Sequence, residues 1–313
     1  MPEPTADADA SADVTAAGPS TGVLVDRVVA WFAEHRRDLP WRAADRTAWG
    51  VLVSEIMLQQ TPAGRVAPVW ELWMATWPTP AALAAAGTGD VLRAWGRLGY
   101  PRRALRLQEC ARVVTERHGG AVPRDEAELL ALPGVGSYTA AAVVAFAHGG
   151  RSVVLDTNVR RVLARTTDGH ALPAPAQTVA EVRRAAALVP VDPGQASAWA
   201  AASMELGAVV CTARAPRCGG CPVADLCRWR AAGYPADAHA ARRRVQGWAG
   251  TDRQVRGRVM GLLRDSEGPV PLRVVADVSP DGPQLRRCVD ALVTDGLLEL
   301  TGPAQDPVLR LPA

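Results

Sequence analysis

Cys211, Cys218, Cys221 and Cys227 are separated by six, two and five residues, while Cys110 and Cys288 stand alone. Four thiolates so close in sequence can converge on one compact centre, and the uneven distribution is a poor disulfide framework. Zinc and an iron–sulfur cluster both accept four thiolates, and the spacing alone leaves both open. Either centre would be closed, with no coordination position left for chemistry, so it would staple the chain and catalysis must come from elsewhere. The spacer between the first two cysteines holds Arg214 and Arg217. A tight loop there would present both cations in a fixed place, as phosphate contacts or as solvated charge.

Two acids have the setting that acid–base chemistry needs. Glu55 shares a helical face with Val51, Leu52 and Leu58. An apolar setting is expected to raise its pKa and keep it protonated, as a general acid requires. Asp156, in the run Val154 to Val162, stands where an apolar segment gives way to a helical one. An N-cap accounts for it as well as catalysis does. One protonated acid and one ionised acid would make a working pair. A third feature is Leu132-Pro133-Gly134-Val135-Gly136, between an acidic helix-like stretch and a second helix starting near Ser137. It has the form of a helix-hairpin-helix. The glycines permit a sharp turn, and amides at a helix start favour an anion such as a DNA phosphate; the same string also serves as a plain turn between packed helices.

The elements that must position these residues follow from periodicity. Residues 1–21 are Ala, Asp, Ser, Thr, Pro and Gly with few large apolar groups, which predicts a disordered tail. Over 22–230 apolar residues recur at helical spacing between Pro/Gly breaks and no run alternates as a strand, which predicts an all-α domain. Residues 231–250, with Arg242, Arg243 and Arg244, suit a basic linker. Residues 251–313 predict helical runs to Asp265, over 272–278 and over 283–294, then short segments at 297–300 and 308–311. That order suggests a small α+β winged helix. The chain has 313 residues with 35 basic and 32 acidic side chains, the basic ones dominated by arginine, the residue that forks best onto phosphate. No uninterrupted apolar span or secretory signal is seen, so a cytoplasmic, nucleoid-associated protein without membrane contact is expected.

With these pieces assembled, residues from about 25 to 230 resemble the A/G-specific adenine DNA glycosylase family of the endonuclease III, or helix-hairpin-helix, superfamily. The resemblance rests on Asp38-Leu39-Pro40-Trp41-Arg42, Val53 to Pro62, Leu98-Gly99-Tyr100, Leu132 to Gly136, Leu155 to Leu163, Met204 to Ala208 and the four cysteines. It implies a [4Fe–4S] cluster on Cys211, Cys218, Cys221 and Cys227 rather than zinc. It implies that adenine is flipped from a mispair with 8-oxoguanine or guanine, that Glu55 protonates it, and that ionised Asp156 stabilises the oxocarbenium-like sugar. The resemblance places Tyr138 where the endonuclease III branch carries its Schiff-base lysine, which implies a monofunctional enzyme. It further implies that Tyr138 and Asn158 shape the catalytic site, Arg42 and Glu205 contact the flipped adenine, and Gln60 and Tyr100 wedge into the duplex. The partner is expected to be double-stranded DNA, bound by a monomer. Residues 251–313 are too short for the Nudix-like domain by which many members read 8-oxoguanine.

Two other readings use the same residues. An endonuclease III-like glycosylase and lyase for oxidised pyrimidines keeps the hairpin, cluster and aspartate, but Tyr138 and Glu55 count against it. A non-catalytic iron–sulfur DNA-binding regulator would read DNA through Arg286 and Arg287 on the third helix of the C-terminal domain.

Overall fold

The computed structural model describes residues 19–242, 247–303 and 305–313. The expected disordered tail therefore lies outside the described residues except for its last three, which begin a helix, and Arg243 and Arg244 of the expected linker lie outside them too. Helices dominate. In chain order they are α1 (Pro19–His35), α2 (Ala48–Leu58), α3 (Ala63–Thr76), α4 (Pro80–Ala84), α5 (Thr88–Trp95), α6 (Arg102–Arg117), α7 (Glu126–Leu130) and α8 (Ser137–His148). There follow α9 (Thr157–Thr166), α10 (Val179–Ala187), α11 (Pro193–Val209), α12 (Arg228–Ala231) and α13 (Asp252–Asp265). Most starts are written in short polar side chains that accept a hydrogen bond from the first turn: Thr47 for α2, Asp125 for α7, Asp156 for α9 and Thr251 for α13.

Two compact units result. Residues 37–154, 192–197 and 239–313 make up the first, called here the hairpin unit; the described residues up to 36 with 155–191 and 198–238 make up the second, the cysteine unit. In the hairpin unit α2 packs against α3, α6 and α8, and every residue of α2 from Trp49 to Met57 is buried. Such a helix is apolar all round because it is enclosed on all sides. Trp73 lies at its side with its ring 5.0 Å from Trp77 and 5.5 Å from Trp95, both edge-on.

The last sixty residues of this unit carry β1 (Val270–Pro271), α14 (Leu272–Val275), α15 (Gly282–Thr294), β2 (Glu299–Thr301) and β3 (Val308–Arg310). The strands pair antiparallel in the order β1-β3-β2. Helix, strand, two helices and a two-stranded wing follow one another as the sequence order suggested, with β1 added. The domain shares one apolar core with the helices before it, running from Trp41 to Leu311. Its end is pinned to α5, where the Thr88 N–H donates to the Ala313 carbonyl. In the cysteine unit, α9 packs on α12, and Arg160 binds Glu181 of α10 through two hydrogen bonds of 2.7 and 2.9 Å. No described helix is long and apolar enough to cross a membrane.

Candidate active site and cysteine centre

Glu55 is held deep in the hairpin unit, only 3% exposed, on the third turn of α2. The Tyr138 hydroxyl, from the first turn of α8, donates to Glu55 Oε2 at 2.8 Å. The helix-hairpin-helix is thus the device that brings a phenol to this carboxyl: α7 and α8 flank the turn, and Tyr138 is the second residue after it. Gly134 takes φ +80°, and a Cβ there would lie 2.9 Å from Cβ of Arg106, so the turn admits only glycine. Gly134 and Gly136 are exposed while Val135 is buried as the anchor of the loop. Nearby, Gln59 donates to Thr139 Oγ1 at 3.3 Å and ties the end of α2 to the start of α8.

Gln60 and Tyr100 are exposed, and both have a left-handed backbone, φ +56° and +47°. A residue that sequence reasoning missed explains how. Arg103, on α6, inserts its guanidinium between their two turns. Nη1 donates to the carbonyls of Ile56, Met57 and Gln59, and Nη2 to Thr61 Oγ1 and the carbonyls of Leu98 and Gly99. It thereby satisfies the open carbonyls at the C-terminus of α2 and fixes the 98–100 turn with the same group. Burial pushes its pKa down to about 10, so it stays cationic at neutral pH. Nothing in the string Arg102-Arg103 distinguishes it from its surface neighbour. Arg42 sits partly buried in the short 3-10 turn Pro40–Arg42, with Nη1 donating to the Arg37 carbonyl.

In the cysteine unit Asp156 is the N-cap that its position suggested, and more. Oδ1 accepts from the Val159 N–H at 2.7 Å, while Oδ2 accepts from Asn158 Nδ2 at 2.7 Å. Asn158 Oδ1 accepts in turn from Arg161, which also donates to the carbonyls of Gly207 and Cys211. A continuous chain of hydrogen bonds thus joins the carboxylate to the first cysteine. Burial raises the pKa of Asp156, against the opposing pull of the Val159 N–H, the Asn158 side chain and the Arg161 cation. Position 207 leaves no room for a side chain, since a Cβ would lie 2.8 Å from both Cβ and the carbonyl oxygen of Asn158. Gly207→Ala should therefore cost about 1–3 kcal/mol by overpacking and displace Asn158 with Asp156. The expected result is a melting temperature lower by several degrees. Thermal melts check it; an unchanged melting temperature would mean that the α9–α11 contact yields freely.

Four of the six free cysteines, Cys211, Cys218, Cys221 and Cys227, line one small cavity with Val162, Leu206 and Val210. Arg165 donates to Cys211 Sγ at 3.3 Å and to the carbonyls of Thr212 and Ala213, with its guanidinium 4.4 Å from the Trp229 ring centroid. A cation bonded to a sulfur favours thiolate at a site where burial otherwise pushes the Cys211 and Cys221 thiols up, Cys221 to about 11. A donor set of four thiols around one apolar cavity fits an iron–sulfur centre, whose irons take thiolate ligands. Arg214 and Arg217 are exposed on the loop between Cys211 and Cys218, as expected, and Glu205 on α11 is fully buried.

Comparison with known proteins agrees with this geometry. Residues 53–187 match the HhH-GPD superfamily base excision DNA repair protein family, and residues 211–227 match the iron-sulfur binding domain of endonuclease III. The adenine DNA glycosylase of Mycolicibacterium smegmatis is 54% identical over 88% of this chain and 92% of its own length. That of Mycobacterium tuberculosis is 50% identical over 88% and 90%. The solved structure of a thermostable thymine-DNA glycosylase superposes with a TM-score of 0.60 at 29% identity, covering 68% of this chain and 97% of that one. The buried carboxyl, the hairpin that serves it, the thiol-lined cavity and a likeness along nearly the whole length lead to one statement: the chain belongs to the adenine DNA glycosylases, HhH-GPD enzymes of base excision DNA repair that carry an iron–sulfur centre.

Proposed function

We propose that the protein hydrolyses the N-glycosidic bond of adenine mispaired with 8-oxoguanine or guanine in duplex DNA, and that it does so as a monofunctional glycosylase. The observation that carries the second half is compositional: the sequence contains no lysine, all 35 basic side chains being arginine. A lyase step through a lysine imine has no amine to use. Tyr138 offers a phenol instead and spends it on Glu55.

In this mechanism Glu55 delivers a proton to the adenine ring. The bond from C1′ to the base breaks, its electron pair leaves with adenine, and water adds hydroxide to C1′ while returning a proton. Asp156, ionised, stabilises the positive charge that develops on the sugar. Asn158 holds that carboxylate and Tyr138 holds Glu55. Arg42 and Glu205 are the proposed adenine contacts, Glu205 from a buried position that base insertion must uncover. Gln60 and Tyr100 enter the duplex as it is opened, at a cost of a few kcal/mol that is smallest at a mispair. Gly134, Val135 and Gly136 present backbone amides to a phosphate, and Arg214 and Arg217 reach another.

A [4Fe–4S] cluster, held by Cys211, Cys218, Cys221 and Cys227, would staple the loop that Arg161 links to Asp156. The four thiols around one cavity and the likeness of residues 211–227 to the iron-sulfur binding domain of endonuclease III support it over zinc. We further propose a cytoplasmic monomer with a glycosylase domain over 22–230, a linker over 231–250 and a winged-helix-like domain over 251–313.

The test is adenine release from duplexes bearing adenine opposite 8-oxoguanine, guanine or thymine. Release opposite the first two without strand nicking is expected; excision of thymine glycol with nicking, and no adenine release, would overturn the proposal. The pH dependence follows from Asp156. Because its pKa is raised and the carboxylate is the working form, activity should fall on acidification at a pH above the ordinary aspartate value of about 3.9. A single-turnover profile whose acid limb lies at or below that value contradicts the role given to Asp156.

A further inference from the structure

Beside Gln60 and Tyr100 the hairpin unit contains a cavity of about 1040 Å³ that the mechanism does not use. Arg65, Arg97 and Arg102 line it from the α3 and α5–α6 side. Arg253, Arg256, Arg258 and Arg264 line it from α13 of the C-terminal domain, and Asp265 is the one acid among the lining residues. Asp295 lies behind, bridging Arg102 at 3.3 Å and Arg256 at 2.5 Å. Seven guanidiniums thus face two carboxylates, a balance that like-charge repulsion opposes unless an anion supplies the remainder.

α13 is also open where a helix is normally closed. Gly257 and Gly261, one turn apart, both line the cavity, and a Cβ at either would meet nothing within 4 Å. Glycine is a poor choice inside a helix, and no packing inside the protein requires it at these two positions. What the pair provides is close approach of a ligand to the helix backbone, between arginines at both ends. At the mouth, Arg253 donates to the Tyr100 hydroxyl at 3.2 Å and lies 4.7 Å from the ring centroid of Trp248, which is 51% exposed.

We propose that this groove binds consecutive phosphates of one DNA strand, so that the C-terminal domain meets the duplex through α13. The proposal rests on the reading of the protein as an enzyme of duplex DNA. Gln60 and Tyr100, the residues assigned there to the duplex, stand on the groove's edge, so a strand that passes them runs along it. Arginine forks fit phosphate oxygens two at a time, and a strand supplies a regular series of anions for a row of cations. Arg287 of α15, which the regulator reading would turn to DNA, makes two hydrogen bonds to Asp252, at 2.9 and 3.1 Å, and links α15 to α13.

The experiment is fluorescence anisotropy of a mispaired duplex over a range of KCl concentrations, with the full chain, an Arg253→Gln/Arg258→Gln variant and Gly257→Glu. Loss of two phosphate contacts should lower the slope of log affinity against log salt by about 2 and weaken binding roughly tenfold or more at 0.15 M. Gly257→Glu places a carboxylate in the groove at a position where glutamate favours the helix. It should weaken binding without lowering the melting temperature, which keeps the test decisive if the double variant folds poorly. Wild-type affinity and salt slope in the Gly257→Glu variant would overturn the proposal. A wild type that shows these binding differences yet releases no adenine would leave the groove standing and remove the enzymatic reading.

Discussion

Glu55→Gln should lower adenine release from a mispaired duplex by about 10²–10⁴-fold, the range associated with loss of a positioned general acid. The substitution is nearly isosteric in a side chain that is 3% exposed, and the amide oxygen can still accept from the Tyr138 hydroxyl. Fold and duplex affinity should therefore survive, because what is removed is the transferable proton alone. Asp156→Asn should act on the other side of the bond, with a loss of about 10²–10³-fold, since asparagine still caps α9 but brings no negative charge to the sugar. Single-turnover rates at saturating enzyme separate chemistry from binding, and anisotropy measures the binding. If the Glu55→Gln variant released adenine within tenfold of the wild type, another group would have to be the acid.

How far these sites could be read from the chain depended on whether the information was local. The cysteine spacing, the cap at Asp156 and the turn at Gly134 are set by neighbours in sequence, and the structure repeats them; the caps at Thr47, Asp125 and Thr251 are equally local but were not singled out in the chain. The burial of Glu55 was legible because its helical neighbours are aliphatic. The bond from Tyr138 to Glu55 joins residues 83 apart, and periodicity carries no such information; only resemblance to a family indicated that Tyr138 belonged at the site. The order of helices and strands after residue 251 was legible for the same local reason, except β1, whose two residues are too short to show alternation. Which face of that domain turns outward was not legible. The arginines of α13 and α15 look alike as strings, and only the folded chain shows that Arg287 of α15 engages Asp252 while Arg253, Arg256, Arg258 and Arg264 of α13 line the cavity.

Arg103→Met should show that the two exposed residues assigned to the duplex are held by one half-buried cation. Gln60 and Tyr100 are two of the three non-glycine residues with positive φ among the described residues, a conformation that costs of order 1–3 kcal/mol each and persists only when the surroundings dictate it. Arg103 dictates both, through carbonyls at the end of α2 and carbonyls of the 98–100 turn. Methionine fills much of the same volume but donates nothing, and it leaves buried carbonyls without partners. The expected cost is roughly 3–5 kcal/mol, a fall in melting temperature of about 6–20 °C for a unit of this size. A general loss of stability would look the same in a melt, so the decisive readout is extrusion of the base. With 2-aminopurine in place of the adenine, the fluorescence rise on binding should shrink in Arg103→Met, measured well below its melting temperature. Leu107→Ala, on the same helix and fully buried, should lose comparable stability through a cavity while keeping that rise. Arg103→Lys keeps the charge but reaches fewer acceptors than the planar fork, and should recover stability in part while still failing to set both turns. Equal loss of the fluorescence rise in Arg103→Met and Leu107→Ala would reduce Arg103 to a packing residue. A loss confined to the arginine variants would make it the positioning residue through which α6 sets Gln60 and Tyr100 together.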